Sequence, residues 1–592
     1  MVKPELVERY LRGKFGKALD AVRAEMEPRH AGRLSHSRAS RSLRLSGMAL
    51  FWLLASCATW ANPSLEARVT AVAAGPASRG QPSAAPQVSR AWIEQVYSPA
   101  NPGPVWFTAE GPRPAIGVAL QALRAAAGRG VAPDDYDVGS LERQVEALRG
   151  SILDRDTVAR ADMAMTVTVL RFLSDLRFGQ VRPQEVEPHY RAPAKDAAFV
   201  AELRAAVAGN RLAATIDAAE PAFPLYARLK RLLADYRVLA AQPAIVLPPL
   251  ASPLVKIVVG DIYTGVPALH AQLVRLGDLA ADSARSTDDR FTDMLAEAVR
   301  RFQARHGLQP DGVLGKETLA ALNVPLATRV AQITLSLERL RWLPTLPPGP
   351  LIAINIPSFQ LWVFADASDA EHATLSMRIV VGKAMRTETP VFLGEMRFVE
   401  FSPYWNVPPS ILRNELLPRL ETDPTYAKRE DMEVVSTGRD GRAHTVIDSA
   451  SIAALRSGEA RLRQRPGPRN ALGGVKFVLP NTMHIYLHAT PARELFERTR
   501  RDFSHGCIRV REPEALAQFV LRGKPEWTPE EIEIAMQSGM NRTVPLAHPV
   551  PVVVFYTTAV ADAAGRALFL ADVYGHDREL QTALRKGSRA AR

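Results

Sequence analysis

Apolar residues recur at three- and four-residue spacing over 116–127, 157–178, 197–208 and 224–241. That is the period of helices that bury one face. Residues 90–250 are therefore expected to form a helical scaffold domain. Turns at 131–136 and 175–183 break it, with Gly179 and Pro183 as stops. A second helical pattern fills 266–325. There Ala298, Val299, Phe302 and His306 share one helix face, and Gly307 caps it. Asp311 and Gly312 turn the chain, and a short helix over 316–322 closes the unit.

From Leu351 the period changes. The segments 352–356, 360–364, 376–381, 394–401, 476–479, 483–487 and 550–556 are β-branched or aromatic with turn residues between them. They predict a β-rich domain over 350–580. Between Pro408 and Gly474 the strand pattern stops, in a polar, Arg-rich stretch too long for a simple connection. We read 409–473 as a helical insertion capping that domain. The fold class expected is multi-domain α+β.

Composition narrows the picture a little. At 592 residues the chain is too long for one core. Its 47% hydrophobic and 23% charged residues are ordinary for globular protein. A net charge of +12 would suit nucleic acid, a membrane surface or an anionic polymer. No nucleic-acid motif or stacking platform accompanies it, so a solvated Arg-rich surface is the preferred reading and no nucleic acid is expected as partner.

The two cysteines say more. Cys57 ends a short apolar stretch preceded by Arg33, Arg38, Arg41 and Arg44, the pattern of a secretory signal over residues 1–61. Leu54-Ala55-Ser56-Cys57 resembles a lipobox. Lipid attachment at Cys57, cleavage after Ala61 and an uncleaved anchor all stay open, and these are the only membrane contacts expected. The long basic region is a cytoplasmic stub, or else the true start lies downstream, as at Met26. Residues 62–89 read as a small-residue tether, and everything beyond as exported to the periplasm or cell envelope. The exported part then keeps one unpartnered thiol, Cys507, in an oxidizing compartment. A reactive role is the usual reason to keep one.

The residues around that thiol are Ser504-His505-Gly506-Cys507-Ile508-Arg509, with His488 sixteen positions before Ser504. The arrangement resembles the L,D-transpeptidase signature, a histidine followed after some fifteen residues by Ser/Thr-His-Gly-Cys-x-Arg/Asn. Arg386-Thr-Glu-Thr-Pro390, Ser402-Pro-Tyr-Trp-Asn-Val-Pro-Pro-Ser-Ile411, Gly467-Pro-Arg-Asn-Ala-Leu-Gly473 and Ile485-Tyr-Leu-His-Ala-Thr-Pro491 resemble the large, multi-domain branch of that family. The Ala-Val-x-x-Phe-Gln and Asp-Gly-x-x-Gly-x-x-Thr spacing in 266–325 is similar to the small peptidoglycan-binding module. Such a unit binds stem peptide or glycan, or serves as a packing block between larger domains.

A free thiol is only a few per cent ionized at neutral pH and needs a base. The helix expected to start at Glu512-Pro513 lies too far downstream for its dipole to act on Cys507. Three histidines are near: His484, His488 and His505. If 483–487 is a strand, His484, Tyr486 and His488 share a face, with the two imidazoles about 13 Å apart along it. Both cannot serve one thiol. The resemblance selects His488 as base and Cys507 as nucleophile, with His484 at the surface. It gives Ser504 and His505 supporting roles, places an oxyanion hole at the amides of Gly506 and Cys507, and sets the Ala489 carbonyl beside the base. Arg509 would hold a substrate carboxylate or serve as a structural ion pair. Tyr486, Trp405 and Asn406 would line the donor groove.

What the resemblance implies is acyl transfer. Cys507 attacks the carbonyl before the terminal D-Ala of a tetrapeptide stem, and a neighboring stem's amine takes the thioester in a 3→3 cross-link. Carbapenems would acylate the same thiol. No cofactor is implied, and no metal, since neither His-Glu-x-x-His nor paired Cys-x-x-Cys occurs. The rivals are a stem-peptide hydrolase using the same dyad and a non-catalytic wall-binding protein.

Overall fold

Helices Ala115–Arg124, Arg155–Phe178, Ala198–Ala208 and Pro224–Ala240 form where the apolar spacing predicts them. The computed structural model describes residues 88–590 apart from 99, 101–102, 149–154, 192–193, 252–254, 284–287, 370–371, 424 and 438–441. The signal segment, Cys57 and nearly all of the 62–89 tether lie outside the described residues. No helix among the described residues is long and apolar enough to cross a membrane.

The first three helices and Leu212–Ala219 close over one core that includes Leu123, Met165, Leu173 and Leu203. Pro224–Ala240 departs from it. Its Tyr226, Leu229 and Leu233 pack instead with Ile333, Leu337, Leu340, Val553 and Phe555. Ile333, Leu337 and Leu340 belong to a helix that the sequence reading passed over, Leu326–Trp342. This helix is buried along its second half, and its charges are spent on the scaffold. Glu338 accepts from the amides of Gln180 and Val181 at 2.5 and 3.0 Å and pairs with Arg341 at 2.9 Å. Arg341 also donates to Tyr226 Oη and the Arg129 carbonyl. Tyr190 Oη donates to the Trp342 carbonyl at 2.9 Å.

In the second unit, Asp293–Arg305 and Lys316–Leu322 are helical, and Gly307 takes a φ of +66°. The motif spacing has a visible cause. Gln303, 2% exposed, donates to Asp311 Oδ1, the Val313 carbonyl and Thr318 Oγ1, and accepts from the Gly312 amide. One buried amide thus satisfies the whole turn. His306 stacks on Phe302 with ring centroids 3.7 Å apart and lies 5.7 Å from Phe569. Arg305 donates to the Ala567 carbonyl, so this unit also touches the C-terminal part of the β-rich domain.

That domain is built on a nine-stranded sheet: β1 Leu351–Asn355, β2 Gln360–Phe364, β3 Leu375–Gly382, β4 Phe392–Phe401, β5 Val475–Val478, β6 Leu487–His488, β7 Asp502–Ser504, β8 Ile508–Val510 and β9 Arg542–Phe555. Their order is β7-β3-β8-β6-β5-β4-β9-β1-β2, and a further β2–β3 pairing closes the sheet on itself. The inward residues, among them Ile354, Val363, Ile379, Phe401, Phe477 and Leu487, make the core.

Two expectations need correction. The strand predicted over 483–487 is only Leu487–His488. Asn481 donates to the carbonyls of Leu479 and Ile485 and accepts from the amides of Met483 and Ile485, and His484 is turned to a φ of +57°. The insertion, in turn, is not simply helical. Met432–Ser436, Ala443–His444, Ala460–Gln464 and Trp405–Asn406 form a four-stranded antiparallel sheet, covered by short helices. Its core, which includes Leu412, Leu420, Val434 and Leu462, is drawn from residues 405–462, with Trp405 and Val407 contributed from just before the insertion.

Candidate active site

Strands β6 and β8 run parallel, with Leu487 opposite Ile508 and His488 opposite Arg509. One step back, the Ile508 amide donates to the Tyr486 carbonyl, which sets Tyr486 beside Cys507. Aligned residues of paired strands share a face, and alternate residues return to it. Tyr486, His488, Cys507 and Arg509 therefore stand on one face, with the imidazole diagonal to the thiol, ~7–8 Å apart at the backbone. Lys476 of β5 lies opposite His488, with its ammonium 4.6 Å from the center of the Tyr486 ring.

The thiol donates toward the His484 carbonyl at 3.7 Å, and the Tyr486 amide and phenol both interact with it. His488 is 5% exposed, and its Nδ1 lies 2.6 Å from the Ala489 carbonyl, the contact expected to orient the base. Nδ1 therefore carries the ring proton and Nε2 is left as the basic nitrogen. The Leu472 backbone also lies within hydrogen-bond reach of the ring. His484 is exposed, and its carbonyl rather than its ring faces the thiol.

The turn before Cys507 is held from all sides. Ser504 Oγ donates to the Cys507 carbonyl at 2.5 Å and accepts from the Gly506 amide at 3.2 Å. The Gly506 amide is thus occupied in this state, and a two-amide oxyanion hole requires that bond to loosen. Gly506 has a φ of +109°, which disfavors any side chain there. From the loop after β3, the Lys383 amide and Thr387 Oγ1 donate to the Ser504 carbonyl, and Thr389 Oγ1 donates to the Gly506 carbonyl at 2.7 Å. His505 faces outward, with Nε2 2.6 Å from Glu415 of the insertion. Sequence reasoning gave no role to Glu415 or Thr389. Thr389 lay inside a quoted motif, whereas nothing local marks Glu415.

The remaining expected site residues divide. Arg509 has its Nε buried without a hydrogen-bond partner among the described residues. Trp405 and Asn406 pair with Gln464 and Arg463 in the insertion's sheet, and Trp405 packs on its core. Arg463, Arg465 and Arg469 of the insertion are paired with Glu433 and Asp431. Beside the base, a cavity of about 500 Å³ opens along Ala489, Thr490, Arg493 and Glu514.

Burial pushes the Cys507 thiol up, against the pull of Tyr486, while burial and the Arg509 cation push His488 down to about 3. Both groups are then neutral at pH 7, and the proton moves only as attack begins. Alkylation of Cys507 by a small uncharged reagent should therefore keep rising from about pH 6 to about pH 9, as expected for a thiol with no depressed pKa. A plateau reached below neutrality would mean a preformed thiolate–imidazolium pair and would overturn this reading. The depressed His488 also favors the fold above its unfolded value of about 6.5. That contribution is lost as pH falls toward the folded value.

Comparison with known proteins matches residues 349–534 to the L,D-transpeptidase catalytic domain family. Residues 91–233 match a scaffold domain, and residues 263–322 match a family described as "Putative peptidoglycan binding domain". Residues 349–534 are thus similar to L,D-transpeptidase catalytic domains, and the units before them to the scaffold and peptidoglycan-binding families. A curated relative from Haemophilus influenzae, named "Putative L,D-transpeptidase", is 32% identical over 255 residues. The match covers 43% of this chain and 49% of the relative, so the chain spans about half the length of that protein. Among solved structures, an L,D-transpeptidase from Stackebrandtia nassauensis aligns at 13% identity over 52% of this chain and 97% of that one, with a TM-score of 0.21. A fused Zn-dependent amidase/peptidase/peptidoglycan-binding domain protein from Clostridium acetobutylicum aligns at 12% identity over 51% and 99%, with a TM-score of 0.15.

Proposed function

We propose that this protein is a cell-envelope acyltransferase that joins peptidoglycan stems by 3→3 cross-links through a thioester on Cys507. The observation that carries the reading is the shared face of Tyr486, His488, Cys507 and Arg509 within the matched catalytic domain. Arg509 binds the donor's carboxylate beside the thiol. Cys507 attacks the carbonyl preceding the terminal D-Ala, giving up its proton to His488. His488 returns that proton to the departing amine, and the Cys507 amide supports the oxyanion. A second stem approaches through the cavity at Ala489; its side-chain amine attacks the thioester, the C–S bond breaks, and the amine's proton passes through His488 back to the Cys507 sulfur. The peptidoglycan-binding unit holds the polymer while this happens.

The test is mass analysis of products from purified tetrapeptide muropeptides. Dimers linked between two third-position diamino acids support the proposal. Tripeptides alone would mark a hydrolase, and unchanged substrate a non-catalytic wall binder. Within the same assay, His488→Ala should reduce acylation by about two to four orders of magnitude at neutral pH. His484→Ala should be mild, since it leaves the carbonyl that meets the thiol. Reversal of those two results would remove His488 from its role.

A further inference from the structure

The loop that grips the nucleophile turn is itself gripped by residues far outside the turn. Gly382 begins this loop, and a Cβ there would lie 1.9 Å from the Thr387 carbonyl, so the chain folds back on itself as tightly as glycine permits. Tyr574 Oη donates to the Gly382 carbonyl at 2.7 Å and accepts from the Thr389 amide at 3.2 Å. Thr389, fully buried, accepts from the Gly382 amide and passes its own hydroxyl proton to the Gly506 carbonyl. Tyr574 is thus two hydrogen bonds, through Thr389, from the backbone of Gly506, the neighbor of Cys507.

Two residues on, His576 starts the C-terminal helix and is 9% exposed. Its Nδ1 lies 2.8 Å from Glu187 of the scaffold domain, and its Nε2 lies 3.5 Å from Glu388 of the same loop. The hydrogen bond is to Glu187, and Glu388 at 3.5 Å brings a second carboxylate charge, so the two together favor the imidazolium. Its other neighbors are Tyr556 and Tyr574, whose rings lie 4.6 and 5.6 Å away. Arg339 acts on it from the helix Leu326–Trp342, itself paired with Asp577, while Asp572 is occupied by Tyr556. Asp502 near Tyr574 is paired with Arg500. Burial and Arg339 oppose the charge on His576, and Glu187 with Glu388 outweighs them, so the ring holds its proton above the ordinary histidine range. Glu388 in turn accepts from the Met385 amide at 2.8 Å, which passes the pull into the loop.

We propose that Tyr574 and the Glu187–His576–Glu388 bridge are positioning residues for the nucleophile, fastening the 382–389 loop so that Thr389 holds the Gly506–Cys507 turn in its reactive geometry. The proposal rests on Cys507 being the nucleophile. It makes the scaffold domain, through Glu187, a direct supporter of the active site. Both His576 and Tyr574 lie beyond residue 534, where the match to the catalytic family ends.

The experiment uses the full chain with a carbapenem as acylating probe. It follows the rate of adduct formation by intact-protein mass, with the modified peptide located by digestion. His576→Gln and Glu187→Gln should each slow acylation of Cys507 by about tenfold to a hundredfold near pH 6, the size expected for a small misplacement of a reacting group. The ratio of wild-type to variant rate should shrink toward one as pH rises and the wild-type ring loses its proton. Thr389→Ser should restore most of the rate lost in Thr389→Val, because it returns the hydroxyl that meets Gly506. A wild-type to variant ratio that is flat with pH would overturn the proposal, as would rate losses seen only alongside a lowered melting temperature. An adduct on any peptide other than the one holding Cys507 would instead refute the nucleophile assignment, and so distinguishes the two failures.

Discussion

Cys507→Ala should abolish cross-linking and stem hydrolysis together while leaving the folded protein nearly as stable as before. Both reactions pass through the same thioester, so no acceptor can rescue the variant. The stability side follows from how little the sulfur atom touches. Cys507 is half-buried, its Cβ survives in alanine, and its thiol makes only weak contacts, a 3.7 Å hydrogen bond to the His484 carbonyl and interactions with the Tyr486 amide and phenol. A weak neutral bond of that sort contributes no more than ~1 kcal/mol. For a protein of this size the melting temperature should move by about 2–4 °C or less. The turn itself is held by Ser504, Thr387 and Thr389, none of which the substitution alters. If even a tenth of wild-type turnover persisted at an unchanged melting temperature, another residue would have to be the nucleophile.

Replacing residues 412–466 by a short Gly/Ser linker should leave Cys507 reactive to small acylating agents but cripple cross-linking of polymeric substrate, by tenfold or more on the scale of lid effects. The deletion is feasible because the insertion has its own core, so its loss exposes little of the β-rich domain. Its ends meet beside the site, at Trp405–Asn406 and at Gly467–Gly474. Glu415 reaches from it to His505, two residues from the thiol. A cap so placed can close over bound stems and exclude water, favoring the amine over hydrolysis. The transfer-to-hydrolysis ratio should therefore fall with total cross-linking. Unchanged cross-linking and an unchanged ratio would reduce the insertion to surface decoration.

The elements that were legible in the sequence are those whose apolar period is long and whose ends carry turn residues. The scaffold helices and strands such as Gln360–Phe364 meet both conditions. The insertion's sheet was missed because Ala460–Gln464 alternates Leu with Arg, and a strand carrying arginine on its outer face reads as solvated loop. The turn at His484 was misread as strand because Met483, Ile485 and Leu487 keep the alternation. The signal to the contrary was Asn481, a side chain able to bind its own backbone. At the site, the motif marked Cys507 and His488 directly. Glu415, Thr389, Tyr574 and His576 reach the turn or its loop through contacts that span the fold, and a single sequence records no trace of such distance.

The helix Leu326–Trp342 bears on how the molecule unfolds. Its Glu338–Arg341 pair is fully enclosed, and each partner also satisfies backbone groups of the scaffold. Pulling the scaffold away would break these bonds to charged groups, each contributing about 1.5–3 kcal/mol, against the 5–15 kcal/mol that typically holds a domain folded. The helix therefore couples the scaffold to the closed sheet. A fragment cut to begin at residue 349 would lose this helix, along with the Tyr226 and Leu337 cluster that covers one side of β1 and β9.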